Sequence, residues 1–117
     1  VIRLHNIDII ASRFEYLIDP EEWRGFALAM RPLSYIRRRD GALRWGLFQD
    51  AADPRRFLET FLVETWSEHL RQHERVTHAD RLLQNAVHRF HLEGIPKVTH
   101  FIAAAPGEAH PPEEKHA

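Results

Sequence analysis

Histidine is the residue type in this sequence most open to a chemical role, with nine in all. His69 and His73 stand four apart, which puts two imidazoles on one face of a helix, where they can share a metal ion. No HExxH glutamate accompanies them, and no cysteine or close pair of carboxylates joins them. His78, His88, His91 and His100 are scattered. His100 alternates with Val98 and Ile102, a pattern that puts it in the helix-facing or dimer layer of a strand. The histidines therefore read as solvated or packed, with no metal site and no cofactor. Nucleophilic catalysis has little to work with. There is no cysteine and no GxSxG, and Ser12, Ser34 and Ser67 fall at a strand start, a helix end and a helix cap. The five glycines are dispersed and form no phosphate-cradling loop. The run Arg37-Arg38-Arg39 could meet an anion, an acidic partner or lipid headgroups, and reads as a solvated turn leading into Asp40-Gly41.

Any such chemistry needs a frame. A length of 117 residues predicts one domain, and 44 % hydrophobic with 28 % charged residues is ordinary globular composition. The lack of cysteine excludes a disulfide scaffold. Sixteen basic against 17 acidic residues give a formal charge of −1, so no bulk basic field points to nucleic acid. Of the 16 basic residues only Lys97 and Lys115 are lysine. No apolar run approaches the roughly 18 residues of a membrane span. Residues 1–11 read as a linker or extra strand, 12–104 as the folded domain, and the Pro- and charge-rich residues 105–117 as a disordered tail.

Within the domain, Ser12 to Ile18 alternates as a strand, with Phe14, Tyr16 and Ile18 on one face. Asp19-Pro20-Glu21-Glu22 opens a helix whose apolar stripe is Trp23, Phe26, Ala27, Met30 and Leu33, expected to bend or fray at Pro32. Ala42 to Gln49 predicts a strand with Leu43, Trp45 and Leu47 on one face and Phe48 on the other. Arg56 to Trp66 predicts a longer one, with Phe57, Phe61 and Val63 opposed to Leu58, Leu62 and Trp66. Helical sequence follows from Glu68 to Glu74, with a fresh start at Thr77 and a stripe of Ala79, Leu82, Leu83, Ala86, Val87 and Phe90. Lys97 to Ala104 closes the domain as a strand.

This order, βαββαβ, is that of an α+β ferredoxin-like domain: a four-stranded antiparallel sheet with two helices on one face. Two helices shelter one face only, yet the strands carry large apolar residues on both. A second copy of the chain laid against the bare face is the simplest cover, so a homodimer through the sheet face is expected.

The strings Phe14-Glu15-Tyr16-Leu17-Ile18-Asp19-Pro20, Arg38 to Phe48, Glu59 to Trp66 and Ser67 to Thr77, with Val87-His88-Arg89-Phe90-His91, carry a resemblance. From about Ser12 to Ala104 the sequence resembles the soluble C-terminal domain of major facilitator transporters of the transmembrane secretion effector group, related to enterobactin exporters. The domain is also similar to the antibiotic-biosynthesis-monooxygenase superfamily, whose ferredoxin-like chains pair as dimeric α/β barrels. The resemblance implies a cytosolic module preceded by the membrane portion of a parent transporter, in keeping with a sequence that begins at Val1. Enzymes of that superfamily place an Asn on the first strand, a Trp late in the third and a His on the next helix. Trp66 and His73 match the last two, but Phe14-Glu15-Tyr16 stands where the Asn would be. The expectation is a non-catalytic dimerisation and ligand-sensing module, with Tyr16, Trp45, Trp66 and His73 around a pocket for a small apolar ligand. The alternative is a cofactor-free monooxygenase of aromatic or polyketide-like substrates that uses Trp66 and His73.

Overall fold

The strand and helix order is reproduced in a computed structural model, which describes residues 9–74 and 76–104, with the side chains of Trp66, Glu68, Gln72 and His73 outside that description. The tail expected over 105–117 and most of the segment 1–11 also lie outside the described residues. Strand β1 (Ile10–Leu17) leads through a 3₁₀ turn (Pro20–Glu22) into helix α1 (Trp23–Arg39), then β2 (Leu43–Gln49), β3 (Arg56–Val63), α2 (Trp66–Glu74), α3 (His78–His88) and β4 (Lys97–Ile102). The sheet order is β2-β3-β1-β4, antiparallel throughout. This is the ferredoxin-like α+β fold, with α2 and α3 sharing the place of its second helix.

Alternation decides which side chains meet the helices. In β3, Phe57, Glu59, Phe61 and Val63 are buried while the residues between them are half-buried. Ile10, Ser12, Tyr16 and Ile18 of the first strand segment are buried on the same side. Phe26, Met30 and Leu33 of α1 and Val87 of α3 close over Tyr16, Ile18 and Phe57. Phe26 sits edge-on to Tyr16 at 5.2 Å and to Phe57 at 5.4 Å, the geometry aromatic quadrupoles favour.

Several expectations are corrected. Helix α1 continues through Pro32 to Arg39, so the three arginines form its last turn, where positive charge complements the helix dipole. The acceptor orphaned by Pro32, the Leu28 carbonyl, belongs to a residue on the exposed face, where water can take it. The turn proper is Asp40-Gly41, and Gly41 has φ 102°, which glycine adopts without a Cβ clash. Trp23 and Leu82 belong to no buried stripe, being 47 % and 55 % exposed. A bulge lies between Leu43 and Gly46, with Arg44 at φ 54°. The extra residue turns Leu43, opposite Leu62, onto the bare face of the sheet, while Trp45 and Leu47 pack under the helices. Strand β3 ends at Val63, and Trp66 opens α2 instead of closing the strand. The bare face itself is mixed. Leu43, Phe48, Leu58, Leu62 and Phe101 share it with an ionic strip in which Arg56 meets Glu15 and Asp50 at 3.0 Å each.

Candidate functional site

A cavity of about 390 Å³ opens between the sheet and the helices. Its sheet side is Phe14 of β1, Phe61 of β3, and Val98 and His100 of β4; Ile36 and Arg37 come from α1, His69 from α2, and Gln84 and His88 from α3. Each strand residue is there by parity. Phe14 and Val98 are register partners, as are Ser12 and His100. The break between α2 and α3 follows from Thr77, whose hydroxyl accepts from the Asp80 N–H while the Asp80 carboxylate accepts from the Thr77 N–H. This capping box starts α3 afresh. Arg39 then ties Asp80 to the end of α1 at 2.9 Å and holds its carboxyl below the usual range, with the Thr77 N–H adding to the effect.

Beneath the cavity lies a buried polar cluster. The Glu59 side chain is 0 % exposed and accepts from Arg37 Nε at 2.9 Å and Nη2 at 3.2 Å, from Trp45 Nε1 at 2.8 Å and from Tyr16 Oη at 3.1 Å. With these donors the carboxylate is satisfied on both oxygens, the condition under which a buried charge is tolerated. The Arg37 guanidinium lies 4.5 Å from the Phe14 ring and 5.1 Å from the Phe61 ring, so two aromatic faces and one carboxylate share its charge. Burial opposes that charge, but Glu59 and Tyr16 together hold the Arg37 pKa above its ordinary value. Burial, with the negative charge of Glu59 beside it, pushes the Tyr16 phenol far up, so it remains a donor across the physiological range.

His88 lines the cavity next to this cluster, its ring 6.3 Å from that of Tyr16. Its pKa is lowered by burial first and then by the positive charge of Arg37 and by His91, with Glu59 acting the other way. His88 is therefore neutral at pH 7. On the opposite wall, His100 Nδ1 is 3.1 Å from Ser12 Oγ, and its ring stands edge-on to His69 at 4.3 Å. His91 is engaged elsewhere: its Nδ1 accepts from the Leu17 N–H at 2.9 Å. Among the described residues, no group of three His, Asp or Glu is placed to hold a metal. The unfolded chain takes up the His88 proton near pH 6.5, while the folded chain does so only at lower pH. Its contribution to stability is thus complete above pH 6.5 and is lost as pH falls through the folded value. Urea unfolding from pH 7.5 down to 5 is expected to show this loss, and His88→Gln is expected to flatten that part of the curve.

Of the four expected pocket residues, Tyr16 and Trp45 are brought together, on the two oxygens of Glu59, where they fix the acceptor that orients Arg37. The cavity wall is made by other residues. Trp66 and His73 are placed at the first turn and near the end of α2, and their side chains lie outside the described residues. Reading the sequence missed Arg37, Glu59 and His88. Glu59 carried a signal, a carboxylate at an inward position between Phe57 and Phe61. His88 carried none beyond standing next to Val87 in the α3 pattern.

A family profile described as transmembrane secretion effector matches residues 5–107. The chain belongs to the transmembrane secretion effector family. Membership agrees with the strings that carried the resemblance. Among the described residues, no helix of this family member is long and apolar enough to cross a membrane. No curated protein matches the chain. Solved structures match in fold. A candidate antibiotic biosynthesis monooxygenase from Caulobacter crescentus is 13 % identical with TM-score 0.71, covering 88 % of this chain and 96 % of that one. A conserved protein from Methanosarcina mazei is 10 % identical with TM-score 0.68, over 81 % and 92 % of the two chains. A NIPSNAP family protein from Agrobacterium tumefaciens is 8 % identical with TM-score 0.64, over 85 % and 88 %. This member of the transmembrane secretion effector family thus shares the ferredoxin-like fold of antibiotic-biosynthesis-monooxygenase-type proteins.

Proposed function

We propose that the chain is a non-catalytic, dimerising cytosolic module that binds a small apolar or aromatic ligand and so regulates a major facilitator efflux transporter whose membrane portion precedes it. The observation that carries this reading is the cavity, with aromatic walls in Phe14 and Phe61 and one polar end at Arg37. Arg37 gives Nε and Nη2 to Glu59, and its guanidinium lines the cavity, where it can orient a ligand oxygen. Tyr16 and Trp45 serve the pocket from behind by fixing Glu59, and Trp66 and His73 of α2 are its remaining candidate walls. A ligand regulates only as far as it binds one state better than another, and α2 and the independently capped α3 are the elements that can differ between states.

Anilinonaphthalene sulfonate, an aromatic fluorophore, tests the cavity. One molecule is expected to bind per protomer in the unchanged chain, and Gln84→Trp, which fills the cavity from α3, is expected to abolish binding while the thermal transition stays in place. Equal binding by both proteins would remove the cavity from the function.

The second reading, a cofactor-free monooxygenase, is favoured by a neutral His88 able to accept a proton from a phenolic or enolic substrate. Oxygen uptake with a dihydroxyanthrone in air, lost in Trp66→Phe, His73→Ala or His88→Gln, would select the enzyme over the ligand sensor.

A further inference from the structure

The near-zero net charge conceals two helices, α1 and α3, whose exposed charge is of one sign. Helix α1 contains five arginines and no acidic residue. Arg37 is taken by Glu59 and Arg39 by Asp40 and Asp80, which leaves Arg24, Arg31 and Arg38. These recur every seven residues with Leu28 and Tyr35 between them, and at 3.6 residues per turn all five fall on one strip of the helix. The strip is open, with Leu28 63 % and Tyr35 60 % exposed and all three arginines exposed. Helix α3, packed beside α1, repeats the arrangement with exposed Arg81, Asn85 and Arg89 around Leu82. Its one acidic residue, Asp80, is buried against Arg39. None of Arg24, Arg31, Arg38, Arg81 or Arg89 has a carboxylate partner among the described residues. Arg24 and Arg38 lie instead over the rings of Trp23 and Trp45, at 5.7 and 5.8 Å.

We propose that the outer face of α1 and α3 docks on an anionic lipid surface. The arginines pair with headgroup phosphates, while Leu28, Tyr35 and Leu82 enter the boundary between headgroups and acyl chains. Charge complementarity is the first argument: five cations on one face, with no exposed acid on either helix, meet a leaflet that is negative. The distribution of apolar side chains is the second. A protein partner is met by a contiguous apolar centre with a polar rim. Here single apolar residues alternate with arginines, the pattern of an interfacial helix whose long cationic stems spread along the surface. The face lies away from the sheet, so docking leaves both the bare side of the sheet and the cavity open.

The test is co-sedimentation of the 117-residue chain with vesicles of phosphatidylcholine alone and with about 30 % phosphatidylglycerol added, at low and at raised salt. Binding is expected only with phosphatidylglycerol and is expected to weaken with salt. Each arginine removed is expected to cost about fivefold, so Arg24→Gln/Arg31→Gln/Arg38→Gln should lower the partition coefficient about a hundredfold. Arg81→Gln/Arg89→Gln tests the other helix independently, and Leu28→Ser/Tyr35→Ser should weaken binding with every charge kept. All of these positions are exposed, and unchanged thermal transitions verify folding. Equal binding to neutral vesicles, no binding to anionic ones, or full binding by the arginine variants would overturn the proposal. Displacement by millimolar inorganic phosphate would replace it with a simple phosphate site. Retention by polyaspartate or an RNA oligonucleotide without vesicle binding would replace it with an acidic macromolecular partner.

Discussion

Replacing Glu59 with alanine is expected to destabilise the domain by about 3–5 kcal/mol, a large part of the total stability of a chain this size. The cost follows from what the carboxylate holds. It receives two donors from Arg37, one from Trp45 and one from Tyr16, and it is wholly buried. Without it the Arg37 charge, only 12 % exposed, stays under the Phe14 and Phe61 rings with no counter-ion, and two further buried donors lose their acceptor. Glu59→Gln keeps the volume and part of the hydrogen bonding but not the charge, and should fall between alanine and the unchanged chain. The pair is costly to break and cheap to remove whole. Arg37→Met with Glu59→Leu takes away both desolvated charges and is expected to recover part of the lost stability, the rest staying lost because Tyr16 and Trp45 still lack their acceptor. Urea unfolding of Arg37→Met alone, Glu59→Leu alone and the two combined closes a cycle whose coupling energy should exceed about 1 kcal/mol. A Glu59→Ala protein within 1 kcal/mol of the unchanged chain would mean that the ion pair does not anchor the cavity floor.

That cluster also shows how far a sequence can be read without its tertiary partners. The order of elements was legible because each carries its own local signal: alternation in Ser12 to Ile18, the Asp-Gly turn, and Thr77 three residues before Asp80. Parity would put Glu59 on the inner side of β3, between Phe57 and Phe61, a signal the sequence reading did not use. What parity cannot supply is the partner. Arg37 lies 22 positions away and belonged, on local cues, to a solvated turn. The error began at Pro32. Its local cost is real, but the helix continues because Leu33 and Ser34 beyond it are buried, and burial outweighs one absent hydrogen bond. The Leu43 misplacement has the same origin, since strict alternation has no way to show the extra residue at Arg44. Trp66 continued an apolar alternation that in the fold has already ended at Val63.

Leu62→Lys is expected to convert a dimer into a folded monomer, the largest effect on assembly that one substitution should produce. Leu62 lies on β3, opposite Leu43 and on the side of the sheet the helices leave bare. Around it Leu43 is 44 %, Phe48 57 % and Phe101 46 % exposed, apolar surface that one chain cannot bury by itself. In the ionic strip Arg56 is paired within the chain with Glu15 and Asp50 at 3.0 Å each, so two copies can meet without stranding these charges. In a lone protomer a lysine at position 62 can extend to water and costs little. In a face-to-face pair it is trapped without a counter-ion, a penalty of about 3 kcal/mol or more, which weakens association over a hundredfold. Light scattering should therefore give twice the protomer mass for the unchanged chain and the single mass for Leu62→Lys, with matching circular dichroism. Leu28→Lys, on the outer face of α1, should leave the mass unchanged. A monomeric unchanged chain would instead give the bare face some other cover, and the proposed module would lose its dimer while keeping its cavity and the Arg37–Glu59 pair.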